Sequence, residues 1–369
     1  MKTPKERMLQ VLRWFLSAWH YKLSGIKKPY NPIIGETFAC YWPHDDGTKT
    51  QYLAEQVLHR PPVTALYIEN RERGIVCDGS IWTKSQFQAP QTAASLLVGN
   101  ARLNLVNLDE LYHVTFPNYF AHNLLMGTIR TEVGGESVVV CEKSGLRADL
   151  EWHQKPMMWG ADEIARVTVK VSESSTKKVL YEIDGHWDST FTITDKATGK
   201  SSEFLDVSKL KVAPKWVVPI PLQNPWESRR LWGPVTEALM ERPDVDWNEV
   251  TRRKLKLEDE QRELACHQKG DKFKEWPTKF FDKITVRDPD TGKDVETWRF
   301  RYERGDKYEK GESELNLVAL SRRTLDSRAK AEETPALGAE GAAGAAAGGG
   351  GDGEKKVTGD EDKAEPKSS

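Results

Sequence analysis

Two short segments of this chain combine groups that can bind an anion with apolar neighbours. The segment KKPYNPIIGETF contains Lys28 and Asn31, and AEQVLHRPP contains His59 and Arg60. Lysine and arginine bind a phosphate through charge and hydrogen bonds, and an asparagine amide adds a neutral donor. Prolines next to these residues restrict the backbone and favour a defined local geometry. The segments predict an anion site beside an apolar cavity, with an ordinary turn carrying a solvated lysine as the alternative for Lys28.

A third group of charged residues occurs late in the chain at four-residue spacing. Lys254, Glu258 and Arg262 lie in RRKLKLEDEQREL, and on a helix this spacing places the three side chains in one stripe. One interpretation is a ladder of intrahelical salt bridges, each worth about 0.3–0.5 kcal/mol. The other is a further pair of cations for the anion site, with the glutamate orienting them. The two roles are compatible.

The composition argues against several classes of protein. The chain has 369 residues, 13 of them Trp, and a formal net charge of −2, so it can build a sizeable core but is not basic enough to suggest nucleic-acid binding. The four cysteines are far apart and show no zinc-ligand spacing, which predicts no metal, no cofactor and a reducing cytosolic compartment. No nucleophile elbow, HExxH, P-loop or GxGxxG motif suggests an enzyme.

The charge is unevenly placed along the chain. Residues 1–30 contain seven Lys or Arg and one acidic residue, whereas residues 331–369 contain nine acidic residues and four lysines. A basic end is attracted to an anionic membrane surface, with a solvated helix face as the alternative. No segment approaches the roughly 20 apolar residues needed to span a bilayer, and none has the pattern of a signal peptide. We therefore expect only peripheral contact with membranes.

The hydrophobic pattern predicts a mainly β protein with helical flanks. Helical spacing covers residues 5–25 and ends at Ser24-Gly25, and short alternating runs then continue to about Asp195, with hairpin turns expected at Gly134-Gly135, Ser144-Gly145 and Thr198-Gly199. So many antiparallel strands predict a large, nearly closed β-barrel with an interior tunnel.

Two helices and a final strand complete the predicted domain. WESRRLWGPVTEALMERP is one predicted helix, a second opens at Asp244 or Asp246 and runs from about Trp247 to Ala265, and VETWRFRYER is the final strand. We expect the tryptophans to line the core or tunnel, at positions 14, 19, 42, 82, 152, 159 and 187. His186 is expected to be a hydrogen-bonded structural residue.

Beyond about Ser321 the composition changes to low-complexity Ala/Gly followed by mixed charge. Such a segment cannot bury a core, which predicts a disordered tail over residues 322–369.

The three charged blocks carry a family resemblance. KPYNPIIGE resembles the Lys-Pro-aromatic-Asn-Pro block of the oxysterol-binding protein family, EQVLHRPP resembles its EQVSHHPP fingerprint, and the late Lys, Glu and Arg match a helical stripe of the family. The blocks follow the family's order, with GHWDS between the second and the third. The resemblance covers roughly residues 5 to 305 and implies a lipid-binding domain over residues 1–321.

The resemblance implies how a lipid would be held. The headgroup contacts at the rim of a lipid tunnel become Lys28, Asn31, His59, Arg60, Lys254 and Arg262, with Glu258 orienting the last two. Arg60 stands where the family has a second histidine, and Leu58 where it has serine. Both changes put phosphoinositide affinity in question, because arginine can bind phosphate but can also overfill the pocket.

The implied function is lipid transfer between membranes. Similar proteins exchange phosphatidylinositol 4-phosphate for a sterol or phosphatidylserine, and KKPYNPIIGETF looks most like the phosphatidylserine-carrying branch. We expect a monomer that acts peripherally at contacts of the endoplasmic reticulum with the plasma membrane or Golgi. A non-transporting lipid sensor or tether and, less favoured, a lipid-modifying enzyme stay open. Family members have a lid upstream of the position of Met1, which leaves a lidless domain or a misplaced start as alternatives.

Overall fold

The structure is a computed structural model. It describes residues 3–20, 30–88, 91–125, 129–154, 164–241, 245–269, 276–288 and 291–301, with only the backbone for 264–269. The helices are α1 Pro4–Ser17, α2 Ser228–Leu231, α3 Gly233–Met240 and α4 Trp247–Lys269. The strands are β1 Thr37–Pro43, β2 Lys49–Leu58, β3 Val63–Asn70, β4 Ile75–Gln88, β5 Thr92–Leu105, β6 Glu110–Thr115, β7 Asn118–His122, β8 Arg130–Cys141, β9 Leu146–Trp152, β10 Arg166–Glu173, β11 Val179–His186, β12 Thr190–Asp195, β13 Ser201–Asp206, β14 Phe281–Arg287 and β15 Asp294–Phe300.

One antiparallel sheet of 13 strands dominates the fold. Its strands follow chain order from β1 to β13, except that β7 lies beside β5 and β8, and β14 and β15 form a separate hairpin. The prediction of a mainly β protein with helical flanks is confirmed. No ladder joins β13 to β1 in the described ranges. Instead the chain after β13 returns to β1, where the backbones of Trp216 and Tyr41 exchange two hydrogen bonds of 2.8 and 2.9 Å.

Helix α1 begins at a capping box and ends earlier than predicted. The Thr3 hydroxyl accepts a hydrogen bond from the Glu6 amide, and the Glu6 carboxylate accepts one from the Thr3 amide. The predicted end at Ser24-Gly25 is wrong, because the helix stops at Ser17 and the Trp19 amide turns back to the Leu16 carbonyl. This turn allows the Trp19 ring to pack on the sheet.

Two of the three predicted hairpin turns are confirmed. Gly145 and Gly199 lie in turns with φ of +66° and +69°. The expected turn at Gly134-Gly135 is wrong, because both residues lie inside β8, where the ladder with β7 ends at Gly134 and the ladder with β9 on the other edge begins at Gly135. A Cβ at Gly134 would meet the Gln154 side chain at 2.5 Å, and Gly135 has φ of +96°. The glycines here permit a close approach and a backbone bend rather than a chain reversal.

The helical region after residue 226 is divided differently from the prediction. The single helix expected there is two, α2 and α3, because Gly233 and Pro234 begin a new helix after Trp232. The predicted start of α4 is confirmed, since Asp246 accepts hydrogen bonds from the amides of Asn248 and Glu249. Asp244 lies outside the described residues.

The core has one large part and two smaller ones. The large part lies between α1 and the sheet and contains Trp19, Trp152 and Trp187 as predicted, whereas Trp14 is 40% exposed. Trp159 lies outside the described residues. A second cluster packs the β14–β15 hairpin on β2 and β3. The third, called here the α3–α4 cluster, contains Ile33, Leu231, Trp232, Val235, Ala238 and Val250, with Tyr30, Leu239, Val245 and Leu257 partly buried against it.

His186 has the structural role expected of it. Its Nδ1 lies 2.8 Å from the Ile164 carbonyl oxygen, which ties the end of β11 to the segment before β10.

Candidate anion-binding site

The segment that carries Asn31 is fixed by a buried glutamate. One oxygen of Glu36 accepts hydrogen bonds from the Ile33 amide at 3.0 Å and from the Trp232 indole at 3.1 Å, and the other accepts the Ser228 hydroxyl at 2.6 Å. The Tyr30 ring stacks on Trp232 at 4.3 Å. Asn31 itself is exposed. The segment therefore holds a fixed backbone on α2 and α3 while presenting Asn31 to solvent.

Backbone hydrogen bonds join this segment to β2. The Gly35 amide donates to the Gln56 carbonyl at 2.8 Å, and the Gln56 amide donates to the Glu36 carbonyl at 2.9 Å. Gly35 has φ of +79°, and a Cβ there would lie 2.8 Å from the Trp276 ring, so both conformation and space require glycine. This link places the first charged block beside the strand that leads to the second.

The second block forms the turn between β2 and β3. His59 and Arg60 are exposed in this turn, and the Arg60-Pro61 peptide bond is cis. The buried Gln56 side chain holds the turn by donating to the Leu58 carbonyl at 3.0 Å and accepting from the Thr64 hydroxyl at 2.6 Å. The turn is thus supported by hydrogen bonds on both strands, and its two basic residues face outward.

Helix α4 brings the third block to the same region. Val250 and Leu257 of α4 pack in the α3–α4 cluster with Tyr30 and Ile33, which flank Asn31 in the chain. Lys254 lies between these two packed positions of the helix, one turn from each. The Lys254 ammonium is 3.4 Å from the Glu258 carboxylate, as the ladder predicts.

The ladder does not continue to Arg262 as predicted. The guanidinium of Arg262 pairs with Asp259, three residues earlier, rather than with Glu258. Spacings of three and four residues both bring side chains together on a helix, so the sequence alone does not distinguish the two partners. Glu258 is therefore positioned to orient Lys254 but shows no contact with Arg262.

Two neighbouring residues of α4 have buried polar atoms without hydrogen-bond partners. The Gln261 side chain belongs to a residue only 5% exposed, and neither its amide nitrogen nor its oxygen has a partner in the described chain. One guanidinium nitrogen of Arg262, Nη2, is also buried and has no hydrogen-bond partner among the residues that the structure describes. In helical projection Gln261 lies between Leu257, which is packed, and Lys254. Such atoms are costly to bury without a partner, and the described residues supply none.

A second buried carboxylate supports the strand before the β2–β3 turn. Glu55 is fully buried and accepts hydrogen bonds from the amides of Lys279 at 2.7 Å and Phe280 at 2.9 Å. Burial raises the pKa of Glu55, while these two backbone donors and the nearby Lys279 charge act in the opposite direction. The carboxylate ties β2 to the chain that leads into β14.

The structure brings the predicted residues together only in part. Lys28 lies outside the described residues. The segment of Asn31 and the helix of Lys254 share the α3–α4 cluster, and the turn of His59 connects to them through Gln56 and Gly35. Glu36, Gln56 and Gln261 were not predicted. Their signal in the sequence is proximity to the predicted residues, within five positions of Asn31, within three of His59 and next to Arg262.

The described ranges contain neither a cluster of metal-ligating side chains nor a membrane-spanning helix. No three His, Cys, Asp or Glu side chains come together there as a possible metal site. None of the helices described is long and apolar enough to cross a membrane.

Comparison with known proteins finds close relatives over most of the chain. Human oxysterol-binding protein-related protein 8 is 38% identical over 306 residues, covering 82% of this chain and 33% of its own length. Human oxysterol-binding protein-related protein 5 is 36% identical over 343 residues, covering 91% of this chain and 37% of that protein. The chain thus spans about a third of the length of these relatives.

Solved structures share the fold. The Osh1 ORD domain, solved in complex with cholesterol, superposes with a TM-score of 0.63 at 18% identity over 82% of this chain and 75% of that one. The Osh3 ORD from Saccharomyces cerevisiae, solved with PI(4)P, gives 0.58 at 22% identity over 79% and 75% of the two chains. The family described as oxysterol-binding protein matches residues 1–242, about two thirds of the sequence. Together with the two human relatives, this match shows that the chain belongs to the oxysterol-binding protein family.

Proposed function

We propose that this protein binds one membrane lipid inside its sheet and transfers the lipid between membranes, with the headgroup held at the candidate anion-binding site. The proposed headgroup contacts are Lys28, Asn31, His59, Arg60, Lys254 and Arg262, with Glu258 orienting Lys254 and Gln261 added from the structure. The proposed lipid-binding domain covers residues 1–321, followed by a tail over 322–369.

The unpartnered atoms of Gln261 and Arg262 carry this proposal. They supply an amide donor, a carbonyl acceptor and a guanidinium donor next to Lys254. A phosphorylated headgroup offers acceptors for the two donors, and a hydroxyl of the headgroup can donate to the Gln261 oxygen. A ligand with both groups would satisfy all three atoms at once.

Transfer energetics explain why a headgroup site must accompany an apolar interior. Each buried CH₂ is worth roughly 0.8 kcal/mol, so a lipid leaves a bilayer only for a cavity that replaces its apolar surroundings. A charged headgroup cannot enter that interior unpaired. It is therefore held at the rim, where cations and amides replace its hydration.

The proposed cargo follows from the relatives and from the first block. The Osh1 ORD structures contain cholesterol or ergosterol, and the Osh3 structure contains PI(4)P. The KKPYNPIIGETF block resembles the phosphatidylserine-carrying branch. We therefore propose phosphatidylserine or a sterol, exchanged with phosphatidylinositol 4-phosphate, by a monomer that contacts anionic membranes peripherally at sites between the endoplasmic reticulum and the plasma membrane or Golgi.

Charge reversal on α4 tests the headgroup site. Lys254→Glu would place a carboxylate against a phosphate, so we expect extraction of phosphatidylinositol 4-phosphate from liposomes to be lost. Lys256→Glu is the matched control, because Lys256 lies on the opposite side of the same helix and pairs with Glu260 at 3.7 Å. Circular dichroism establishes that both variants are folded. Equal extraction by both variants would place the headgroup elsewhere.

Two further measurements separate transfer from binding alone. Mass spectrometry of the lipid that copurifies with the protein identifies the cargo. Movement of labelled lipid between two liposome populations then shows transfer, whereas extraction without movement would favour the sensor or tether. Appearance of a chemically altered lipid would establish the enzyme instead.

A further inference from the structure

The chain that returns from β13 to β1 carries a basic and apolar surface. Residues 207–226, called here the return strip, contain three lysines and no Asp or Glu. The strip also holds five large apolar side chains that are 46–96% exposed: Leu210, Val212, Trp216, Ile220 and Leu222. A concentration of exposed apolar side chains in one segment indicates an interaction site.

The return strip is held against the sheet although its side chains are exposed. The backbone of Trp216 exchanges two hydrogen bonds with Tyr41 of β1, and the two rings stack with centroids 6.3 Å apart and planes 16° from parallel. The Lys215 ammonium lies 5.8 Å from the centroid of the Phe38 ring on the same strand. The sheet edge therefore fixes the middle of the strip while the side chain of Trp216 stays 57% exposed.

The cations of this surface are available to an anionic partner. Lys211, Lys215 and Arg229 are exposed and pair with no carboxylate among the residues that the structure describes. Burial raises the pKa of the Cys40 thiol on β1, and the charges of Lys215 and Arg229 oppose this shift, so both cations lie close to the same strand. Lys209 differs, because it pairs with Asp206 at 2.8 Å.

We propose that the return strip is the surface through which this protein docks on an anionic bilayer. Lysines there are attracted to the negative surface potential of the membrane, and Trp216 is of the type that settles at the headgroup level. The aliphatic side chains have no hydrogen bond to offer a nucleic acid or an acidic peptide, but they gain free energy at the boundary with the acyl chains.

The position of the strip fits this role. The Thr37 amide donates to the Trp226 carbonyl at 2.9 Å, so the strip ends at the start of β1, six residues after Asn31. Docking through the strip would bring β1 toward the membrane, and the start of this strand follows the segment of Asn31 in the candidate anion-binding site. The inference rests on the proposed function, because lipid transfer requires contact with a bilayer.

Flotation with vesicles tests the two components separately. We expect Lys211→Ala/Lys215→Ala to weaken binding to phosphatidylcholine vesicles containing phosphatidylserine by about 30-fold, from about fivefold per lysine near a membrane surface. The same pair should have little effect on pure phosphatidylcholine vesicles. Lys170→Ala/Lys200→Ala, at two exposed lysines on β10 and after β12, is the matched control and should bind as wild type.

The apolar component needs a variant that cannot disturb the fold. Val212 is 96% exposed, so Val212→Ser removes no packing, and it should weaken binding to both kinds of vesicle. Leu125→Ser, at a residue 73% exposed outside the strip, is its control. The proposal would be overturned if Lys211→Ala/Lys215→Ala or Val212→Ser floated with vesicles as well as the wild-type protein does. An equal loss of vesicle binding in the matching control variant would also overturn it. The proposal would also be overturned if the lysines were needed for retention on heparin while Val212→Ser left flotation with vesicles unchanged.

Failure of docking and failure of lipid binding are distinguishable. The strip variants should keep the copurifying lipid seen by mass spectrometry while losing vesicle binding. A wild-type protein without any bound lipid would contradict the proposed function instead, whatever its flotation.

Discussion

Replacing Gln261 with leucine should have opposite effects on stability and on lipid binding. The Gln261 side chain is buried and both of its polar atoms lack partners among the described residues, which therefore leave its desolvation uncompensated. Leucine has a similar volume and no polar atoms. We expect Gln261→Leu to raise the free energy of unfolding by about 1–3 kcal/mol, the cost of one unsatisfied buried group.

The same substitution should weaken the complex with a phosphorylated lipid. Two hydrogen bonds to the headgroup would be lost, one neutral and one to a charged phosphate, for a total of about 2–4.5 kcal/mol. This corresponds to an affinity lower by about 30- to 2,000-fold. Urea unfolding of protein stripped of copurifying lipid gives the first quantity, and titration with liposomes containing phosphatidylinositol 4-phosphate gives the second.

A second buried glutamine provides the control for the direction of the change in the free energy of unfolding. Gln223 is 2% exposed, but its side chain donates to the Val218 carbonyl at 2.7 Å and accepts from the Arg230 amide at 3.2 Å. Gln223→Leu should therefore lower the free energy of unfolding by about 1–3 kcal/mol. If Gln261→Leu also destabilises the protein, its carboxamide is satisfied within the fold, and the argument for a headgroup contact there fails.

Three further outcomes are expected. Arg60→His should make headgroup binding fall between pH 6 and pH 8, because arginine stays charged while a histidine near its reference pKa of about 6.5 does not; higher affinity of the variant at both pH values would instead show that Arg60 obstructs the pocket. Arg7 lowers the pKa of Glu110, so their ion pair stabilises the fold above the ordinary carboxyl pKa and this contribution is lost as pH falls through the folded-state value. The free energy of unfolding in urea should accordingly fall less for Glu110→Gln than for the wild-type protein between pH 7 and pH 3. An equal fall in both proteins would contradict a stabilising role of this ion pair. Deleting residues 322–369 should leave the melting temperature nearly unchanged, since that segment has no apolar face to dock, and a large fall would show that it packs on the domain.

The strands could be predicted because alternation of apolar and polar residues is a local property. The change of partner within β8 could not, since Gly134 and Gly135 resemble a turn in sequence. Gly134 is constrained by the Gln154 side chain, which comes from the chain after β9 and is near only in the fold, and Gly135 by its φ of +96°. The early end of α1 has a similar origin, because Trp19 leaves the helix to reach Trp152.

The candidate site could be predicted only where its residues carry charge in a recognisable spacing. Lys254 and Glu258 pair as that spacing suggests. Glu36 and Gln261 depend on burial, which the sequence does not show: one becomes important because it accepts three hydrogen bonds, and the other because it makes none. The sequence alone does not distinguish a buried polar residue that makes hydrogen bonds from one that makes none.

The contacts of Glu55 define how much chain is needed for independent folding. The family match ends at residue 242, yet both amides that bind this buried carboxylate belong to Lys279 and Phe280. A fragment ending at 242 would remove both of these donors and would expose the face of β2 and β3 that Phe281 and Phe300 cover. The smallest piece able to fold alone must therefore extend at least to the end of β15.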